Sequence, residues 1–125
     1  MKKEIVKNVG KLNNKVIKLL NLSITEELPI ILTESSIEHI KSNHEEDYLM
    51  YGSKIKDIIN NPTYIARNPK QGSIEYIKEY KVNNSEYVLV AVRASSKGQM
   101  FVRTMFKMTM KKINTYLNSG YAVKY

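Results

Sequence analysis

The chain contains no cysteine and only two histidines. The absence of cysteine excludes disulfides, cysteine-ligated zinc and a thiol nucleophile. The Met1-Lys2-Lys3 start is not followed by an apolar run as long as a signal peptide or a membrane span, because lysines recur through residue 18. We therefore expect a cytoplasmic protein with no membrane partner.

The composition is typical of one soluble globular domain, with 125 residues, of which 42% are hydrophobic and 26% charged. Lys and Arg together number 20 against 12 Asp and Glu, which gives a formal net charge of +8. This excess favours polyanionic partners, and nine tyrosines provide rings that could stack on bases. The composition therefore favours nucleic acid as a partner.

The first segment has the apolar spacing of an amphipathic helix. Its apolar residues recur at intervals of four and three: Ile5, Val9, Leu12, Val16 and Leu19. This pattern, with lysines between the apolar positions, predicts a basic helix within residues 1–22. Such helices bind membranes in some proteins, but docking on the domain's own core is commoner and is expected here.

Residues 23–62 are predicted to be a mainly helical part. The run "LPIILT" is strand-like, and Ser35 with Glu38 has capping-box spacing, which predicts a helix from about residue 36. In "GSKIKDIINNP", Ser53 is a candidate cap and Pro62 ends the next helix. The buried stripe of that helix is predicted to contain Ile55, Ile58 and Ile59.

Residues 63–108 change to the alternating pattern of strands. Four segments, "TYIAR", "SIEYIKEYK", "EYVLVAVRA" and "MFVRTMFKM", are separated by turn sequences and predict an antiparallel meander. Residues 109–120 then have helical spacing and end at Gly120, a suitable C-terminal cap. The predicted class is α+β in a single domain, with N-terminal helices packed on one face of a four-stranded antiparallel sheet and a C-terminal helix.

Alternation assigns the strand residues to faces. One face of the third strand contains Val88, Val90 and Val92, and the opposite face contains Tyr87, Leu89, Ala91 and Arg93. A hairpin with Ala94 opposite Met100 would place Phe101, Arg103 and Met105 on the Arg93 face. It would place Val102, Thr104 and Phe106 on the valine face.

A two-residue "NN" turn between the second and third strands would add three further side chains to the open Arg93 face: Tyr76, Lys78 and Tyr80. Cations beside aromatic rings suit a polyanion with bases that can stack, so we expect Tyr76, Tyr80, Tyr87 and Arg103 to contact nucleic acid. Half-exposed sheet faces in other proteins have a similar composition.

The two histidines, His39 and His44, lie five residues apart. On a continuous helix they would diverge by about 140°, so we expect no shared metal. The run Glu45-Glu46-Asp47 is more typical of a solvated loop than of a ligand set. Histidine is well suited to metal-free RNA cleavage, in which one proton leaves the 2′-hydroxyl and another reaches the 5′-oxygen. A surface His39 and a partly buried, structural His44 are the alternative.

The order of several motifs resembles the phage-borne branch of the barnase–EndoU–colicin–RelE nuclease superfamily. The resemblance extends from about residue 9 to residue 119. It rests on "VGKL", "IKLLNL", "LTESSIEHIKSNH", "IKDIINNPTYIARNP", "SIEYIKEY", "YVLVAVR" and "VRTMFKM". The resemblance implies a helical half followed by a four-stranded antiparallel sheet, and a metal-independent ribonuclease of phages or mobile elements.

Carried over by position, the resemblance implies a catalytic set of His39, His44, Lys78, Arg93 and Thr104. Asn43 and Thr63 depart from the pattern, which usually has a basic and an acidic residue there. The hairpin register conflicts with this set, because it separates Thr104 from Arg93. Either a bulge lies in the strands, or one of the two residues is structural.

We therefore expect a toxin-like endoribonuclease that needs no metal or cofactor. Its expected partners are RNA, with tRNA as one candidate, and a protein inhibitor. A non-catalytic nucleic-acid-binding protein would use the same basic surface and would not need the histidines. An interaction or structural protein of a mobile element is the third alternative. The sequence leaves the oligomeric state open.

Overall fold

The computed structural model describes residues 6–81, 84–95 and 98–125, and the side chains from residue 7 onward. Its strands are β1 (Val6–Leu12), β2 (Leu28–Thr33), β3 (Tyr64–Asn68), β4 (Ser73–Lys81), β5 (Ser85–Ala94), β6 (Met100–Lys107) and β7 (Ala122–Lys124). Its helices are α1 (Asn14–Leu19), α2 (Glu34–Tyr51), α3 (Ile55–Asn60) and α4 (Met110–Asn118), with a 3-10 turn at Gly52–Lys54. These elements confirm the α+β class.

One sheet joins all seven described strands in the order β1-β2-β6-β5-β4-β3-β7. The predicted antiparallel meander is its centre, because β3, β4, β5 and β6 pair as consecutive antiparallel neighbours. The prediction of a four-stranded sheet was incomplete, since β1, β2 and β7 extend it, although β2 is the run "LPIILT" that was predicted to be strand-like. Strand β2 joins β6 in parallel over two pairs, Ile30 with Met100 and Ile31 with Phe101.

The prediction of a helix over residues 1–22 is wrong for the part of this segment that the structure describes. Residues 6–12 form strand β1, and only residues 14–19 are helical; residues 1–5 lie outside the described residues. Strand β1 contains a bulge between Asn8 and Gly10. The bulge changes the alternation, so Val9 and Leu12 are both buried although they are three residues apart. A bulged strand thus imitates the apolar spacing of a helix.

The helix boundaries follow side-chain caps. Helix α2 begins two residues before the predicted start, because the Thr33 hydroxyl accepts a hydrogen bond from the Ser36 amide at 3.1 Å. Ser53 lies in the 3-10 turn and does not cap α3, which ends before Pro62 as expected. Gly120, at φ +75°, follows the end of α4. Among the described helices, none has the length and apolar character needed to cross a bilayer.

The sheet has a hydrophobic core on each face, whereas the sequence predicted helices on one face only. We call the first the helix-side core; it contains the valines of β5 and the predicted stripe of α3: Val88, Val90, Val92, Ile55, Ile58 and Ile59. The second, the cleft-side core, lies between the opposite sheet face and α4: Ala66, Ile77, Leu89, Ala91, Met108, Ile113 and Ala122. Helix α4 therefore covers part of the face that was expected to be open.

Replacing Gly10 by alanine tests the bulge in β1. A Cβ atom there would lie 2.8 Å from Cγ2 of Ile59, and the φ of +148° disfavours any residue but glycine. We expect Gly10→Ala to lower the free energy of unfolding by about 2 to 4 kcal/mol, which urea denaturation would measure.

Gly120→Ala is the matched control, because Gly120 also has a positive φ but a Cβ atom at that position would meet open space. It should cost only about 1 kcal/mol, the usual conformational penalty. Equal losses in the two variants would show that β1 does not pack against α3 as described.

Candidate functional site

A bulge in β6 decides which of its side chains face the cleft side of the sheet. Ala94, Arg93 and Val92 pair with Met100, Phe101 and Val102 as predicted, but Ala91 pairs with Thr104. Arg103 is the additional residue. Side chains of paired residues share a face, so Thr104 lies on the face of Ala91 and Arg93. The conflict between Thr104 and Arg93 is thus resolved by the bulge.

The same bulge corrects the predicted faces of the next two residues. Met105 is fully buried opposite Val90 in the helix-side core, rather than on the Arg93 face. Phe106 pairs with Leu89 and packs against the cleft-side core, rather than lying on the valine face. Phe101 lies on the Arg93 face, as predicted.

Helix α2 lies along the edge of β6 that β2 leaves unpaired beyond Phe101. Near its end, a carboxylate oxygen of Asp47 accepts a hydrogen bond from the backbone N–H of Lys107 at 3.0 Å. Ile40 of the same helix is fully buried in the helix-side core. Helix α2 therefore bridges the edge of the sheet and presents another of its sides to the cleft.

Both histidines line this cleft, which has a volume of about 490 Å³. Helix α2 is interrupted at His44, whose φ of −143° and ψ of 51° are not helical. A continuous helix would point the two histidine rings in different directions. The interruption at His44 removes that constraint. The half-buried His44 ring contacts Phe106, with ring centroids 5.2 Å apart. His39 is exposed, and the Asn43 amide donates to its backbone oxygen at 3.0 Å.

Two cations reach the cleft from different elements. Arg103 lies in the β6 bulge, and its Nη1 donates to the side-chain oxygen of Gln71 at 2.9 Å. Lys112 of α4 also lines the cleft, and its Nζ lies 5.2 Å from the centroid of Phe106. His44 and Lys112 thus both contact the Phe106 ring.

Arg93 does not line the cleft, but it forms a hydrogen bond to a residue that does. Its Nε donates to the backbone oxygen of Gln71 at 3.0 Å. Because the Gln71 side chain accepts from Arg103, Arg93 holds the residue that orients Arg103.

A buried carboxylate lies in the same cleft. Glu75 of β4 is 6% exposed, and the Tyr116 hydroxyl donates to its Oε1 at 3.1 Å. Burial raises the pKa of Glu75, although hydrogen bonds from Tyr116, Asn68 and Tyr121 and the charge of Lys112 oppose the rise.

A buried hydroxyl completes the cleft. The Oγ1 of Thr104 has no hydrogen-bond partner among the described residues, although it is inaccessible to solvent. Leaving a buried hydroxyl unpaired costs about 1 to 3 kcal/mol, so such a group calls for an explanation. Thr104 lines the cleft together with both histidines.

Other predicted site residues lie elsewhere. Lys81 pairs with Ser85, so the turn is one residue longer than predicted; Val82 and Asn83 lie outside the described residues. Tyr76, Lys78 and Tyr80 consequently face the valine side, contrary to prediction. Lys78 donates to the backbone oxygen of Asn61 at 2.6 Å and lies 3.7 Å from Asp57.

The predicted nucleic-acid tyrosines do not line the cleft. Tyr76 is 1% exposed within the helix-side core. The Tyr80 hydroxyl donates to Asp57 at 2.8 Å, and its ring stacks on Tyr51. Tyr87 shares the cleft side of the sheet but packs against the cleft-side core. Of the predicted set, the structure gathers His39, His44, Arg103 and Thr104 around one space.

Glu75, Lys112 and Tyr116 were not predicted from the sequence. Lys112 and Tyr116 are four residues apart and so share one face of α4, which is a signal that the sequence contained. Glu75 alternates with Tyr76 along β4, so the correct register would have placed it on the face of Ala91. Within the described parts of the chain, no group of three or more His, Asp and Glu residues could hold a metal ion.

Replacing Glu75 by glutamine tests its burial. The folded-state pKa of Glu75 is raised above its ordinary value of 4.5. The protonated carboxyl group therefore gives its full stabilisation below pH 4.5, and this stabilisation is lost as the pH rises through the folded-state pKa. Glutamine cannot ionise, so the melting temperature of the wild-type protein should fall relative to that of Glu75→Gln between acidic and neutral pH. Thermal melts over that range would measure it.

Glu26→Gln provides the matched control, because Glu26 is an exposed carboxylate that undergoes the same chemical change. The difference between its melting temperature and that of the wild-type protein should stay nearly constant with pH. A constant difference for Glu75→Gln as well would contradict the burial of Glu75.

Comparison with known proteins places the chain in a family. Residues 7–115 match the model of the family described as "phage-Barnase-EndoU-ColicinE5/D-RelE like nuclease3" (PBECR3). The match includes both histidines, the β6 bulge and the start of α4. Neither a curated protein nor a solved structure matches the chain. The chain therefore belongs to the PBECR3 family of nuclease-like domains.

Proposed function

We propose that this domain is a metal-independent endoribonuclease of a phage or mobile element. It cleaves RNA by attack of a 2′-hydroxyl on the adjacent phosphate. The observation that carries the proposal is the shared cleft of His39, His44, Arg103, Lys112 and Thr104. The net charge of +8 favours an approaching polyanion.

The two imidazoles are assigned the proton transfers. Attack requires a base that removes the 2′-hydroxyl proton, and departure of the 5′-oxygen requires an acid. Histidine can do both near neutral pH. Because His39 and His44 line the same cleft, one is assigned as the base and the other as the acid.

Arg103 and Lys112 are assigned to stabilise the negative charge that develops on the phosphoryl oxygens. The guanidinium of Arg103 has five N–H donors, and its hydrogen bond to Gln71 uses Nη1, which leaves other donors for phosphate. The ammonium group of Lys112 and the His44 ring both contact Phe106. Both cations line the same cleft as the proposed proton-transfer groups.

Thr104 and Glu75 are assigned supporting roles. The Thr104 Oγ1 is inaccessible to solvent, so we assign it a bond to a phosphate oxygen only after its side chain rotates towards the cleft, where the bond would satisfy its hydrogen-bonding capacity. Glu75 already accepts a bond from Tyr116 and attracts Lys112, so we assign it to positioning these two side chains.

Lys78 and Arg93 receive different roles from those that the resemblance implied. Lys78 binds Asn61 and Asp57 on the opposite face, so we assign it to anchoring α3 to β4. Arg93 supports the site through Gln71.

Cleavage assays with total RNA in excess chelator test the proposed function. We expect products that end in a cyclic phosphate, which mapping of the product ends would detect. His39→Ala and His44→Ala should each lower kcat by about 10²- to 10⁴-fold, as is usual for the loss of a general acid or base. Arg103→Gln and Lys112→Gln should lower it by about 10- to 10³-fold.

Lys56→Gln is the matched control for the two cation variants, because Lys56 is an exposed lysine on α3. It should cleave at the wild-type rate. If His39→Ala/His44→Ala still cleaves RNA, the proposed mechanism is wrong. If the wild-type protein binds RNA in a salt-sensitive manner but gives no product, the domain is a non-catalytic binder instead.

A further inference from the structure

A second pocket adjoins the cleft and shares two lining residues with it. It has a volume of about 270 Å³ and lies where α2 begins beside the first residues of β6. His39 and Arg103 line both the cleft and this pocket. A group bound at His39 and Arg103 would therefore border two spaces, one of which the proposed chemistry does not use.

Phe101 is the aromatic residue of this second pocket. It is one of two phenylalanines in the chain, and the other, Phe106, packs against the cleft-side core. Phe101 is half-buried and belongs to neither hydrophobic core of the described residues. Its pairing with Arg93 places it on the same sheet face as Thr104. The ring is thus available to a ligand that spans the cleft and the pocket.

Two hydroxyl groups that line this pocket already have hydrogen-bond partners. The hydroxyl groups of Thr33 and Ser36 bond to each other at 2.9 Å, and Thr33 also caps α2. A ligand in this pocket would therefore gain more from the face of an aromatic ring than from these hydroxyl groups. Stacking on aromatic side chains is how proteins hold single-stranded bases with little sequence preference.

We propose that this pocket binds a nucleobase of a single-stranded RNA, stacked on Phe101, next to the phosphate bound by Arg103. The proposal rests on the proposed function for the position of that phosphate. It adds a base-binding subsite and predicts that the substrate is unpaired at that nucleotide, since a base within a duplex cannot reach the ring.

Substitutions of Phe101 test the subsite. Phe101→Leu keeps an apolar side chain but removes the ring face, whereas Phe101→Tyr keeps the ring. We expect Phe101→Leu to weaken binding of a short, fluorescently labelled single-stranded RNA by about 5- to 100-fold, and Phe101→Tyr to bind as the wild-type protein does. KM should rise in the same proportion, with a smaller change in kcat. Equal melting temperatures would show that the variants are folded.

Comparison of single-stranded and double-stranded RNA completes the test. Phe101→Leu should weaken binding of single-stranded RNA only, because a duplex makes no stack on Phe101. Unchanged binding of single-stranded RNA by folded Phe101→Leu would overturn the subsite, even if the wild-type protein cleaves RNA. Weakened binding without any cleavage by the wild-type protein would support the subsite and refute the nuclease mechanism.

Discussion

The extra residue in β6 is the constraint on which the rest of the site depends. Without the bulge at Arg103, simple alternation would turn Thr104 and Phe106 towards the helix-side core, whose packing is completed by Met105. The bulge keeps Met105 buried and turns the other two side chains to the cleft. Phe106 then contacts both His44 and Lys112, so one backbone irregularity gathers groups from three elements.

Helix α2 both covers an edge of the sheet and lines the cleft. It covers the edge of β6 beyond the short pairing with β2, where Asp47 satisfies the Lys107 amide. The buried Ile40 side chain holds the helix against the helix-side core. The interruption at His44 allows both imidazoles to line one cleft. His39 of the same helix lines both the cleft and the pocket of Phe101, so the histidine segment borders two spaces.

The spacing of apolar residues correctly identified the helices and strands that have a regular pattern. It failed where a bulge in a strand produced the spacing of a helix. Alternation located β3 to β6, and Gly120 marked the end of the last helix. Strand β1 was mistaken for helix because its bulge shifts Val9 and Leu12 onto one buried face. Strand β7 has three residues, too few for a period to emerge. Lys78 was assigned to the wrong face because one additional turn residue inverts the alternation of β4 relative to β5.

The sequence by itself determined the α+β class, the central meander, the stripe of α3 and the two histidines as candidate proton-transfer groups. Only the tertiary structure decided that His39 and His44 share a cleft with Arg103 and Thr104, and that Glu75 and Lys112 belong there. The physical reason is that alternation relates side chains within one strand, whereas pairing relates one strand to the next. A single inserted residue changes every face beyond it, and its position depends on partners distant in sequence.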